Sequence, residues 1–271
     1  MPMCENNEPR YYVRHDCDKL LLTDINTKII KKYEHGFDIL CNEKIIFFTS
    51  DELSLHALSF LIPSHIIEAA SEGDSVIVSG DEMTVSGNVL GWGDFIRRYL
   101  FDLKTDYFVL KDNIVNLRKM LKLLGKSSII SEAVLGRSPQ ESVFFRQECF
   151  LRSCDFDSTN VIKYIGVGEG LTPSFDDYLS GVVYVDRVLG KNRIKLDDNF
   201  FEAIKSKTTT QSVQQLTYAD TGKLSLRFEV FVSDFLTYPI TAAQIAPLVN
   251  FGNTSGTDIL CGILAYFESF E

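Results

Sequence analysis

Two stretches of this chain carry the same spaced pattern. Ser174-x-x-Asp177-x-Leu179-x-Gly181 lies in GVGEGLTPSFDDYLSG (residues 166–181), and Ser255-x-x-Asp258-x-Leu260-x-Gly262 in GNTSGTDILCGIL (252–264). In each copy the aspartate and the glycine are four residues apart, so a helix puts them on one face. Glycine inside a helix costs about 1 kcal/mol relative to alanine, and in exchange offers a bare surface that a neighbouring backbone can approach. The doubling predicts two helices packed at Gly181 and Gly262 with their N-terminal ends converging. That would gather Asp177, Asp258, Ser174, Ser255, Thr254 and two sets of free backbone amides at one spot. The same residues would also serve two independent, well-capped helices with a similar apolar stripe and no ligand.

The first copy shows how such a helix could start. Thr172 before Pro173 makes an N-cap and first-residue pair, since the hydroxyl accepts from free amides and proline has none to leave unpaired. Ser174 with Asp177 three residues on is the alternative cap. Either way Asp176 and Asp177 fall in the first turns of a helix running to about Val188, where each acid complements the helix dipole by ~0.3–1 kcal/mol when exposed. VIKYIG, just before, suggests a strand or extended lead into the glycine loop.

The amides of that loop, from Gly166 through Gly168 and Gly170 to Leu171, with the hydroxyls of Thr172 and Ser174, could cradle a phosphate or carboxylate. Carboxylates alongside would repel a bare anion. Either Mg²⁺ bridges through Asp176, Asp177 and Asp258, or the aspartates accept hydrogen bonds from an amide or amine. A small molecule with an anionic group and an NH₂ group suits both halves; Mg²⁺ is the one cofactor this reading leaves open. GVGEGLTPS lacks the Gly-Lys-Ser/Thr of an ATP-binding loop and reads GxGxG, not GxGxxG, so ATP and NAD fall in rank.

Elsewhere the texture changes once along the chain. TKIIKKYEHGFDILCNEKIIFFTS (27–50) alternates β-branched and aromatic residues with polar ones, broken at His35-Gly36 and Asn42-Glu43, and predicts a meander. A short helix follows Pro63 and ends at Gly73, and SVIVSGDEMTVSG reads as a hairpin turning at Ser79-Gly80 or Gly80-Asp81. Beyond Asp106 the period becomes helical: 112–126 with Gly125 as its stop, 138–154 opened by Ser138-Pro139 and Glu141, then the repeat helices, EAIKSK, QSVQQLTYADTG and ILCGILAYFESF. The expected fold is α+β. A β-rich domain over residues 1–105, a small barrel or meander, precedes a mainly helical domain over 106–271, with a soft boundary near Lys104–Lys111.

Composition narrows the function. A net charge of −10 with no long basic run disfavours nucleic acid and anionic membranes. No apolar run of spanning length and no signal peptide is present, which points to the cytoplasm. The six cysteines form no C-x-x-C pair and read as reduced thiols, and the four histidines all lie in the first quarter of the chain, as surface or loop residues. Chemistry at the repeat would then use carboxylates, hydroxyls, backbone amides or lysines. The only tryptophan, in Gly91-Trp92-Gly93, reads as core or a loop anchor.

Three segments, IGVGEGLTPSFDDYLSG, TTTQSVQQLTYADTG (208–222) and NFGNTSGTDILCGILAYF (250–267), resemble the AllH-type subunits of oxamate carbamoyltransferase. The resemblance covers the C-terminal hundred residues or so. It implies carbamoyl transfer between oxamate (giving oxalurate) and phosphate (giving carbamoyl phosphate) in allantoin and purine breakdown, with an acyl-CoA-synthetase-like partner subunit. A non-catalytic docking subunit for that partner, or a small-molecule carboxylase, are the competing readings, and no biotin-type lysine motif is visible for the last. Carried onto this chain, the binding candidates are the loop residues above, Asn253, Thr254, Ser255 and Gly256, together with Thr209 and Ser212, which either line a pocket with Gln211 and Gln215 or cap a helix ended by Gly222. Asp177, Asp258 and Asp176 are the candidate catalytic groups. Glu169 stands where the family usually has proline, Phe175 replaces a smaller or polar residue, and Asn253 stands where GHTSG is more usual, so any acid–base role of that histidine is lost here.

Overall fold

A computed structural model describes residues 12–14, 24–79, 82–91, 95–97, 103–137 and 156–270. The expected helix over 138–154, Trp92, His15, Cys4, Cys17, Cys149 and Cys154 lie outside the described residues. The fold is α+β, a β-rich part followed by a mainly helical one. Contacts divide the chain into two units, Met1–Leu100 and Phe101–Glu271.

The first unit is a curled sheet of nine described strands: β1 (Tyr12–Arg14), β2 (Ile25–Tyr33), β3 (Gly36–Cys41), β4 (Lys44–Thr49), β5 (Ser59–Leu61), β6 (Ser75–Ser79), β7 (Glu82–Val85), β8 (Asn88–Gly91) and β9 (Phe95–Arg97). Their spatial order is β8-β7-β6-β2-β3-β4-β5-β1-β9. The meander over 27–50 is β2-β3-β4, antiparallel, with Tyr33 opposite Gly36 and Cys41 opposite Lys44. Asn42 and Glu43 both take positive φ, the conformation a two-residue hairpin needs. The 75–85 hairpin pairs Ser79 with Glu82, leaving residues 80 and 81, both outside the described residues, between the strands. Strand alternation buries Phe37, Phe48 and Phe60 on one face, where their rings stack at 5.1 and 5.2 Å between centroids. α1 (Ser64–Ala69) stops four residues before Gly73, which instead takes φ +90° in the turn to β6.

The second unit contains α2 (Tyr107–Leu124), α3 (Ile129–Leu135), α4 (Ser158–Val161), α5 (Ser174–Val188), α6 (Asp198–Ile204), α7 (Thr210–Asp220), α8 (Leu226–Thr237), α9 (Ala242–Val249) and α10 (Ser255–Phe270). α2 is capped by Asp106 and stops at Gly125 as expected, although it begins earlier than residue 112. VIKYIG is not extended: α4 and a run of turns lead into the glycine loop, with Val167 donating its amide to the Tyr164 carbonyl at 3.0 Å. Local amide pairing over these few residues outweighs the β-branched pattern that suggested a strand.

The repeat helices α5 and α10 form the centre of this unit. α5 is buried at every residue from Ser174 to Asp186, and α10 from Gly256 to Phe267, as befits helices covered on all sides. A Cβ at Gly181 would run into the Ile259 carbonyl oxygen, and one at Gly262 into the Tyr178 carbonyl oxygen. Tyr178 and Ile259 each follow the aspartate of their own copy, so the crossing is reciprocal. Gly181 of the first repeat receives the second, and Gly262 of the second receives the first.

Candidate functional site

Reciprocity extends to the helix ends. The Phe175 amide is taken by the Val167 carbonyl (2.9 Å), and the equivalent Gly256 amide by the Phe251 carbonyl (3.0 Å). The N-cap of α5 is Pro173, with no side-chain cap. Neither Thr172 nor Ser174 therefore acts as the cap read from the sequence. Their hydroxyls serve the carboxyls instead, because loop carbonyls already satisfy the amide they would have capped. Ser255 favours the ionised form of Asp177, and Ser174 that of Asp258, each short of full hydrogen-bonding geometry, so the serine of each copy serves the aspartate of the other.

Asp177 accepts from Gln215 Nε2 at 2.8 Å and from Thr172 Oγ1 at 3.0 Å, and Thr172 Oγ1 lies 3.1 Å from Ser255 Oγ. This hydroxyl pair joins the two helix ends. Asp258 accepts from Ser128 Oγ, with Ser174 and Thr254 also favouring its ionised form, while its Oδ2 is buried with no partner at full hydrogen-bonding geometry. Asp176 turns the other way, accepting the Gly166 amide at 2.9 Å and the Thr208 hydroxyl. Ser212 is close enough to ease the ionisation of Asp176 but short of full hydrogen-bonding geometry.

All three aspartates have 0% exposure. Burial therefore dominates their chemistry, since a charge without water is costly. It pushes the Asp177 carboxyl up to about 7, with the Asp258 charge adding to the rise and Gln215, Ser255 and Thr172 opposing it. Asp258 is pushed up to about 6, and Asp176 is also raised by burial despite its donors. Above them lies a half-buried layer of hydroxyls, Thr172, Thr254 and Ser255. Outermost are the exposed loops, Gly168 to Leu171 on one side and Gly252-Asn253 on the other. Among the described residues, the amides of Gly168, Gly170 and Leu171 have no acceptor, whereas the Gly166 amide is committed to Asp176. Gly168 takes φ +119° and presses on the Ser174 amide, a position no side chain would fit.

The 208–222 segment combines both of its readings. Thr209 caps α7, accepting the Ser212 amide at 3.1 Å, and its hydroxyl also donates to the Leu171 carbonyl, tying the helix to the glycine loop. Leu216 and Ala219 face the core, and Gln215 reaches the carboxyl network. Gln211 is half-buried on the same helix, and Gly256 sits in packing, hard against the Leu248 carbonyl. Sequence reasoning missed Ser128, Thr208 and Lys126. Ser128 opens α3 in a reciprocal capping box with Ser131, a local pattern legible in KSSIIS, but its second partner is distant in sequence.

The donor set does not fit Mg²⁺ held by the three aspartates. Both oxygens of Asp176 and of Asp177 already accept protein N–H or O–H donors, and the described residues hold no group of three His, Cys, Asp or Glu placed as metal ligands. Of the cysteines, Cys41 and Cys261 are described, and neither is in a disulfide. No helix among the described residues is long and apolar enough to cross a membrane.

Set against known proteins, residues 164–267 match the family model of the oxamate carbamoyltransferase subunit AllH. The matched stretch contains the glycine loop, both copies of the repeat and the 208–222 segment. No solved structure matches the chain.

Proposed function

We propose that this chain is a subunit of an oxamate carbamoyltransferase-like enzyme and that the converging ends of α5 and α10 bind its small anionic substrate. The matched family is described as a subunit, which supports work within a complex. We assign the partner to an acyl-CoA-synthetase-like chain, the setting to cytoplasmic allantoin and purine breakdown, and the reaction to carbamoyl transfer. The observation that carries the reading is the layering: free loop amides, then hydroxyls from both helix ends, then buried carboxyls poised near neutrality.

In such a transfer a phosphate oxygen attacks the carbamoyl carbon of oxalurate, the carbon–nitrogen bond to the oxamate portion breaks, and that nitrogen takes a proton. The loop amides of Gly168, Gly170 and Leu171 hold the anion. Thr172, Thr254 and Ser255 meet the reacting groups. With no exposed surface, Asp177 and Asp258 act through those hydroxyls as positioning residues, and Asp176 positions the loop from its other side by holding the Gly166 amide and the Thr208 hydroxyl. A carboxyl titrating near 7 can both hold and release a proton through such a chain. Most of the rate enhancement then comes from orientation and from donors aimed at developing negative charge.

Titrating the purified protein with fresh carbamoyl phosphate in a thermal-shift experiment tests this. Saturation at a hundred times Kd adds ~2.7 kcal/mol, which raises Tm by roughly 5–10 °C for a chain of this size. The double variant Thr172→Val/Ser255→Ala is expected to lose that response. A flat wild-type response removes the site from this chain. The competing reading, a docking subunit whose carboxyl cluster only latches two helices, draws on the fact that Asp176 and Asp177 already have protein donors. It requires Asp177→Asn to change stability while neither form responds to ligand.

A further inference from the structure

We infer that Lys126 is the anion-binding cation of this site, its ammonium neutralising a phosphate or carboxylate held over the first turn of α10; the inference rests on the function proposed above. The site has an electrostatic problem: three carboxyls lie beneath it in a chain of net charge −10, and a helix end offers only roughly half a positive charge. Lys126 brings a full one. It lies in the link between α2 and α3, and it is tied to the start of α10 at both ends. Its amide donates to Thr257 Oγ1 at 3.0 Å, and its Nζ donates to the Gly252 carbonyl at 2.9 Å. Close approach of this link depends on the preceding Gly125, whose missing Cβ would sit 3.1 Å from Thr257 Cγ2 and 2.6 Å from the Leu121 carbonyl oxygen.

An ammonium has three N–H donors, and among the described residues Lys126 spends one, on Gly252. Gly252 is exposed, so the remaining two are presented at the solvent-facing rim, beside the turn that carries Asn253 and Thr254. An independent feature points to a ligand at the same turn. Asp258 Oδ2 is buried without a partner, on a side chain enclosed by the hydroxyls of Ser128, Ser174 and Thr254. It is an acceptor the fold leaves without a direct partner, and the hydroxyl layer that encloses it can relay its demand to a ligand N–H above. Cation at the rim and acceptor below together select a small molecule with an anionic group at one end and an amide N–H at the other. Carbamoyl phosphate should then bind more tightly than inorganic phosphate.

Isothermal titration of the full chain with inorganic phosphate and with carbamoyl phosphate tests the assignment, comparing wild type with Lys126→Gln, Lys126→Met and Lys126→Arg. Gln retains a donor for the Gly252 carbonyl; Met is the second neutral variant, and whichever stays folded by its unliganded Tm is read. Loss of the charge is expected to raise both Kd values about tenfold or more, the scale of one charge-assisted contact, and Arg is expected to recover most of the affinity. A wild type that binds beside a folded neutral variant with unchanged Kd overturns the role of Lys126 and leaves the site intact. A wild type that binds neither compound overturns the function reading, and this inference with it.

Discussion

Asp177 shows most clearly how one residue couples folding to pH. In the unfolded chain its carboxyl titrates near the ordinary value of about 3.9, whereas in the folded chain it holds its proton up to about 7. Folded protein therefore binds more protons than unfolded protein between those values. The stabilisation this group contributes is largest below about pH 4 and falls as pH rises toward 7, by about 1.4 kcal/mol per pH unit, after which the loss is complete. Asp258, raised to about 6, adds to the fall over a narrower window, and because the two charges interact they titrate as a pair. Asp177→Asn stays neutral throughout. Urea melts at pH 5, 6, 7 and 8 should show the variant gaining on wild type as pH rises; parallel curves at all four would show that burial does not hold the Asp177 proton.

Among the elements, α5 and α10 make the sharpest claim. Each repeat glycine faces a backbone carbonyl of the other helix, and backbone cannot turn aside as a side chain can. Ala at either position gains about 1 kcal/mol of helix propensity but must force the helices apart, at a typical cost of 1–3 kcal/mol or more. Gly262→Ala and Gly181→Ala are each expected to lower stability by about 2 kcal/mol in denaturant titration, and a Gly262→Ala protein as stable as wild type would mean the helices do not cross there. The reciprocal crossing was legible in the sequence, because spacing within one helix fixes which face a residue occupies. α8 gave no such signal. In RFEVFVSDF the aromatic and β-branched residues alternate, so the local pattern is as good a strand as a helix. The fold selects the other pattern present in the same residues: Phe228, Phe231, Val232, Phe235 and Leu236, at three- and four-residue spacing, are the buried face of the helix.

For the molecule as a whole, the apolar core of the second unit, from Leu110 through Phe267 with Leu103 and Phe270 against it, is built among the described residues from that unit's own side chains. The first unit has its own aromatic and aliphatic core on the sheet. Residues 101–271 expressed alone are therefore expected to unfold cooperatively and to keep any response to carbamoyl phosphate; a fragment without a sigmoidal melt would show that this core does not suffice. By itself the sequence determined the change from strand to helix period near residue 105, the two glycine-marked helices and the convergence of Asp177, Asp258, Ser174 and Ser255 at their ends, because spacing within a helix follows rules that act over a few residues; Thr172, read there as a cap, joined the carboxyls only in the fold. Tertiary structure alone decided that the serine of each repeat serves the other repeat's aspartate, that Ser128, Thr208 and Gln215 complete the carboxyl network, and that Lys126 stands at its rim. Those partners come from distant parts of the chain, and which of them reach a buried carboxyl depends on how whole helices stack.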